Sequence, residues 1–290
     1  MTDQMILANS QANLQTQLQQ LSVLQDEASS QQAISKPSDD PNGMAMSLAL
    51  KRQQAANAQY SSNAHDATNW LTAVGGALSA SVTSLQSVRS LVVGSGDPTL
   101  SATAKASIVS QLQGLKAELL SQANTSYLGR PVFAGNSDAG AAFSGSGYAY
   151  NGTPGTTVSR AIGASTTVSV SGDGAASYGV GAGSVFALID TITSGIQAGT
   201  DVTSQLSAID SRISAVSSQQ SLVAANYNAV QQGQSALTAQ AAQLTTQRSG
   251  VDGVDLTKTL VELSAQQNAY QAALGVTSKA LQPTLMSFLR

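Results

Sequence analysis

The stretch "VTSQLSAIDSRISAVSSQQSLVAANYNAVQQGQSALTAQAAQL", residues 202–244, decides the fold class. Every seventh residue in it is apolar, through Val202, Ile209, Val216, Val223, Val230, Leu237 and Leu244. Leu206, Ile213 and Tyr227 fall near the companion position. A seven-residue step returns to the same stripe of a helix every two turns. The segment is therefore predicted to be one long helix packed lengthwise on others. "RSGVDGVD" (248–255) interrupts it.

The same period recurs on either side. Near the start, Leu7, Leu14 and Leu21 are seven apart, with Leu18 and Leu24 near the same face, which predicts a helix of coiled-coil type. It should run out around Ser35, because Pro37 disfavours helix at Lys36. A second helix carries Leu71, Leu78, Leu85 and Val92, interleaved with Val74 and Val88, until "GSGDPT" (94–99) breaks it. A third, over about 100–127, places Ile108, Leu112, Leu115 and Leu119 on one face. The last helix has Leu256, Leu263 and Tyr270 on one series and Leu260, Leu274, Leu281 and Phe288 on the other.

Between 129 and 183 the pattern changes. Alternations such as "TTVSVSGDG" (166–174) and turn signals such as "NGTPG" (151–155) replace the helical period. Six of the 12 aromatic residues (Phe133, Phe143, Tyr148, Tyr150, Tyr178 and Phe186) lie there or just beyond. This predicts a small antiparallel β module inserted between helices and separable from them, with helix resuming at about Ser184. The fold class is thus mainly α with a small β insertion. The chain is expected to form an elongated antiparallel helical bundle or coiled coil, with paired N- and C-terminal helices and the β module outermost.

Composition excludes several functions. Charged residues are 10% of the chain and the net charge is −3, with no basic cluster, so nucleic acid has no electrostatic footprint to bind. No apolar run approaches the length of a membrane span, and no membrane insertion is expected. The first Lys or Arg is Lys36, so the start lacks the charged region of an ordinary cleavable signal. There is no cysteine, hence no disulfide or thiolate chemistry. A surface rich in amides and poor in charge suits a protein that packs against other subunits.

The chemical candidates fail one by one. In "ISKPSDDPNGMAMS" (34–47), Asp40 is a good N-cap and Pro41 suits the first helical position, so Pro37, Asp40 and Pro41 read as stop, cap and start. A calcium loop beginning at Asp39 would need oxygen ligands where Pro41 and Leu50 stand. His65 is the only histidine, and Asp66, adjacent on a helix, cannot orient it. The glycines of "GDGAASYGVGAG" (172–183) miss the phosphate-binding spacings and read as β-turns. No catalytic residue, metal ligand or cofactor site is expected, and the chain does not read as an enzyme.

Specific strings go further than periodicity. "ISKPSDDPNGMAMSLALKRQQAANAQYSSNAHDATNWL" (34–71) resembles the signature region of the bacterial flagellin superfamily. "KPSDDP" followed by "QYSSN" resembles that superfamily's hook-associated branch at the hook–filament junction. "LKAELLSQANTSYLGRPVFAGN" (115–136) and residues 254–290 are similar to the segment entering the outer domain and to the C-terminal helix. The first eighteen residues depart from the usual opening, which leaves the register of the first helix open.

The resemblance implies a structural subunit that self-associates into a ring or helical layer between the first hook-associated protein and flagellin. It would be exported without a cleavable signal, through the flagellar export apparatus with its chaperone, to the extracellular flagellum. A short flagellin forming the filament itself is the alternative. The implied division is 1–36 with 252–290 as a terminal coiled-coil inner domain, 37–129 with 184–251 as a helical bundle, and 130–183 as an outer β-rich domain. Leu7, Leu14, Leu21, Leu260, Leu263, Tyr270, Leu274 and Leu281 would then form the subunit interface.

Overall fold

The computed structural model describes residues 3–145 and 147–280. Seven helices are present among them: α1 (Asp3–Ser30), α2 (Pro41–Ser95), α3 (Ala102–Ala123), α4 (Gly174–Tyr178), α5 (Val185–Ala198), α6 (Leu206–Asp252) and α7 (Leu256–Ala280). Six short strands form three antiparallel two-stranded ladders. They are β1 (Ser126–Tyr127) with β2 (Arg130–Pro131), β3 (Phe143–Ser144) with β4 (Ala149–Tyr150), and β5 (Ser159–Ala161) with β6 (Thr167–Ser169). The chain divides into two compact units, 57–240 on the one hand and 1–56 with 241–290 on the other.

The unit of residues 57–240 holds one continuous apolar core. The α6 heptad residues Ile209, Val216, Val223, Val230 and Leu237 are all buried in it, as are Leu71, Val74, Leu78, Leu85, Val88 and Val92 of α2. From α3 come Val109, Leu112 and Leu119, and from α5 Phe186, Ile189 and Ile192. Helix starts follow side-chain chemistry. The hydroxyl of Ser101 accepts from the Ala104 N–H at the head of α3, and that of Ser184 accepts from the Ala187 N–H at the head of α5. Helix α5 ends on Gly199 in the left-handed conformation.

The stretch 130–183 shares its core with the helices. Phe143 packs its ring 5.2 Å from Tyr150, 5.3 Å from Phe186 of α5 and 5.9 Å from Tyr178. Tyr178 stands edge-on to Phe133 at 5.3 Å, and its hydroxyl lies 2.8 Å from Ser81 Oγ of α2. Phe133, Phe143 and Tyr178 are fully buried. The Asn124 side chain at the end of α3 both donates to and accepts from the backbone of Phe143, fixing β3 to the helix. These contacts argue against a separable module: its rings pack on one another and also on Phe186 of α5 and Ser81 of α2. Two of the glycines first read as turns have a packing reason. A Cβ on Gly172 would stand 2.6 Å from a Phe133 ring carbon, and one on Gly174 would stand 2.5 Å from the Phe133 carbonyl oxygen.

The other unit is built from α1, α7 and the adjoining ends of α2 and α6, with Leu50 and Leu244 buried. Helix α1 stops at Ser30, five residues short of the expected end near Ser35. Pro37 is not what ends it. Gln31 turns to φ +58°, Gln32 bridges Gly253, and the Ala33 N–H donates to the Asp252 carbonyl at 2.8 Å. A backbone committed to that bridge cannot also continue the helical ladder.

Candidate subunit interface

The terminal helices α1 and α7 pack along each other, and the sequence shows why. On α1 the partly buried positions are Ser10, Leu14, Gln17, Leu21, Leu24, Glu27 and Ala28. On α7 the covered positions are Thr259, Leu263, Gln266, Tyr270, Ala273 and Thr277. Both sets advance by three and four residues, the period of a coiled-coil seam. Gln266 Nε2 donates to the Gln17 carbonyl at 3.3 Å and to Gln20 Oε1 at 3.2 Å, which fixes an antiparallel register. Three or four residues either way, Leu21 comes level with Leu263 and Leu14 level with Tyr270.

The seam uses only part of the predicted stripe. Leu14, Leu21, Leu263 and Tyr270 lie on it, whereas Leu18 is 46% exposed, Leu260 51% and Leu274 43%. The companion series on α7 is Thr259, Gln266 and Ala273, not the more apolar Leu260 and Leu274. A helix advances about 100° per residue, so the two choices differ by a rotation of about 50°, which apolar content alone cannot settle. Leu256, Val261 and Val276 are exposed as well, so α7 carries several apolar side chains that no described residue covers. A groove of about 660 Å³ runs beside the seam, lined by Thr16, Gln20, Leu24, Glu262, Ala265 and Ala269 among others. The Leu7 side chain and Leu281 lie outside the described residues.

At the base of the pair, the linkers on the two sides are tied together. In the first linker Asp39 Oδ2 accepts from the Lys36 N–H at 2.9 Å and the Ser35 N–H at 3.1 Å. These bonds, the one from Lys36 foremost, hold its carboxyl below the ordinary range. Asp40 Oδ1 accepts from the Asn42 N–H at 3.0 Å, and Pro41 is the first residue of α2. On the second side Asp252, 2% exposed, accepts from Ser47 Oγ at 2.7 Å and lies 3.4 Å from Arg248 Nε. Arg248 also donates to Gln54 Oε1. Gly253 has no alternative, since a Cβ there would stand 2.2 Å from the Ser249 carbonyl oxygen.

Gln17, Gln266, Ser47, Asp252 and Gly253 had no individual role in the sequence reading. A signal was available for three of them. Gln17 and Gln266 are polar residues at seam positions of a heptad series. Asp252 puts a negative charge at a helix C-terminus, where the helix dipole disfavours it, so it requires partners.

The residues first weighed for chemistry are engaged elsewhere. Asp66 pairs with Arg160 Nε at 2.6 Å rather than with His65, whose Nδ1 faces Gln234 Nε2 at 3.5 Å. Among the described residues no three acidic, histidine or cysteine side chains are placed to hold a metal ion, and no helix is long and apolar enough to cross a membrane.

Comparison with known proteins fits this arrangement of helices. Residues 2–138 match the bacterial flagellin N-terminal helical region and residues 206–289 the bacterial flagellin C-terminal helical region. Flagellar hook-associated protein 3 of Salmonella typhimurium is 32% identical over 130 residues, 44% of this chain and 41% of that protein. The Escherichia coli protein of the same name is 33% identical over 120 residues, 41% of this chain and 38% of that one. The match thus takes in about two-fifths of either curated relative's length. The crystal structure of flagellar hook-associated protein-3 from Legionella pneumophila shares the fold. It has a TM-score of 0.63 at 16% identity, over 70% of this chain and 98% of that one. With the N-terminal and C-terminal flagellin regions both present, in order, and α1 paired with α7, the chain belongs to the flagellin superfamily.

Proposed function

We propose that the chain is a structural, non-enzymatic subunit of the bacterial flagellum, forming the adaptor layer at the hook–filament junction between the first hook-associated protein and flagellin. The observation that carries this reading is the antiparallel pairing of α1 with α7, which leaves Leu260, Val261, Leu274 and Val276 exposed on the pair. Apolar side chains at helical spacing are covered most simply by another helix of the same kind. In this reading the terminal segments, 1–36 and 252–290, form an inner coiled coil. Residues 37–129 and 184–251 form the next shell, and 130–183 face outward. Leu14, Leu21, Leu263 and Tyr270 hold the pair together within a subunit, and Leu260 and Leu274 meet neighbouring copies. Leu7 and Leu281 extend the same two series. Export proceeds through the flagellar export apparatus, with a chaperone, to the outside of the cell.

The names of the Salmonella typhimurium and Escherichia coli relatives support the hook-associated reading. The flagellin regions matched at both ends also admit a short flagellin that builds the filament. Deleting the gene separates the two. A junction subunit's loss leaves intact hooks without filaments and flagellin spilled into the medium; an unchanged filament overturns the proposal. Abundance gives a second test, since a filament subunit dominates a sheared-filament preparation and a junction subunit is a trace in it.

A further inference from the structure

The apolar residues of the α1/α7 seam do not determine its register. Sliding α1 by one heptad toward the base would bring Leu14 level with Leu263 and Leu21 level with Leu256, leaving leucine opposite leucine. The ten-residue linker 31–40 has enough slack for a slide of that size, roughly 10 Å at the helical rise per residue. Something other than leucine must choose between the two arrangements.

We propose that two polar contacts set the register of the terminal helix pair: the Gln17–Gln266 layer within the seam and the clamp centred on Asp252 at its base. In the slipped arrangement Gln266 would face Ser10, and Gln17 would face Thr259. Both would lose the bonds from Gln266 Nε2 to the Gln17 carbonyl and to Gln20 Oε1. A polar residue at one seam position is a known way to fix register at a cost in stability. That cost is visible here, because Gln17 Oε1 is buried without a hydrogen-bond partner. At the base, a slip would break the Gln32–Gly253 bridge and the bond from the Ala33 N–H to the Asp252 carbonyl. The Asp252 carboxylate, held by Ser47 and Arg248, fixes the end of α6 from which both contacts depend.

Register matters because it decides which exposed apolar residues of α7 stand beside those of α1. Leu18 and Val23 of α1 and Leu260 and Leu274 of α7 are all exposed, and a one-heptad slip would change which of them stand side by side. The proposal rests on the assembly reading for its purpose, but the register itself is a property of the lone chain.

The chain has no cysteine, so introduced cysteines report register without interference. The purified full-length chain carries either the pair Leu21→Cys with Leu263→Cys, for the observed register, or Leu14→Cys with Leu263→Cys, for the slipped one. A short bis-maleimide then traps whichever pair is level. With the polar groups intact, only the first pair should cross-link. With Asp252→Ala, Gln17→Leu and Gln266→Leu combined, the slipped pair should cross-link as well. A gain of signal guards against simple unfolding. Moving the glutamine with Ser10→Gln and Gln17→Leu in the Asp252→Ala background, keeping Gln266, should make the slipped product the major one. Exclusive cross-linking of the first pair in all of these variants would overturn the proposal. Because no filament is involved, that result would leave the junction reading standing, whereas a wild-type filament in a deletion strain would remove the latter alone.

Discussion

The Ser47 hydroxyl donates to Asp252 Oδ2 across 2.7 Å, although the two residues stand 205 positions apart in the chain. Both are buried, and together they tie the start of α2 to the end of α6. Removing the hydroxyl leaves a buried carboxylate with only the longer contact to Arg248, so Ser47→Ala should cost about 1–3 kcal/mol of local stability. Hydrogen exchange should quicken at the Ala33 amide, which donates to the Asp252 carbonyl, and at the first turns of α2. Unchanged exchange at those amides would mean that the Asp252 carboxylate does not brace the base of the helix pair.

Tyr178 makes a different prediction, about alkali. Burial pushes its phenol well above the ordinary value, and burial, with Asp173 behind it, raises that of Tyr150 to about 12. A raised folded pKa means that the folded state holds its proton more tightly than the unfolded one. The stabilisation is complete below the unfolded value near 10 and is lost as pH rises through the folded values. Melting temperature should therefore drop steeply above about pH 10. Tyr178→Phe should lose about 1 kcal/mol at neutral pH, because its hydrogen bond with Ser81 is lost, yet decline less steeply in alkali. A variant whose alkaline slope matches the parent's would place the sensitivity elsewhere.

The same residue limits what can be cut away. Removing 138–181 deletes Phe143 and Tyr178, which fill the space between α2 and α5. The shortened chain should expose that face and lose its cooperative melt in the 57–240 unit, even if helical circular dichroism persists. A sharp transition at the parent's temperature would show that the segment is a removable addition after all.

Helix α2 also offers an improvement. Gly75 and Gly76 sit inside it; a Cβ on Gly76 would meet nothing within 4 Å, and one on Gly75 would touch only Val223 at 3.8 Å. Neither glycine is required by its backbone, so each Gly→Ala change should stabilise by about 0.5–1 kcal/mol, read as a higher melting temperature. Both glycines line a surface cleft with Val223 and Tyr227, and destabilisation by either change would show that this cleft must stay open.

Legibility in the sequence followed the length of the repeat. The seven apolar positions of 202–244 are all buried, at 7% exposure or less; six of them lie on α6, and a helix covered along its length has a single stripe to hide. The terminal helices were legible only as helices. With one partner each, they bury half a stripe, and Leu260 and Leu274 carried as strong an apolar signal as the residues that face α1. The aromatic positions between 130 and 186 were correctly singled out, but their partners, such as Ser81, lie on another element, and nothing local encodes such a pairing. Gln17 and Asp252 were missed for a related reason: a polar residue in an apolar seam looks like noise until its partner is known.

Leu263 and Leu274 separate the two roles of α7. Leu263 lies level with Leu21 inside the helix pair, whereas Leu274 lies on its flank and is 43% exposed. Leu263→Asp would put an unpaired charge in the seam and should undo the α1/α7 pairing in the free subunit, seen as lost hydrogen-exchange protection over 8–30 and 256–278. Leu274→Asp should leave that protection and the monomer's melting temperature nearly unchanged, because its charge remains in water. In an assembled layer the same charge would be buried without a partner, at a cost of several kcal/mol per subunit. Filament growth should therefore fail in a Leu274→Asp strain while the mutant protein is still exported into the medium. If filaments grow normally in that strain, the outer face of α7 is not where copies meet. If Leu274→Asp instead melts the monomer several degrees lower, that face is covered within the chain itself, and the division of labour between the two leucines is wrong.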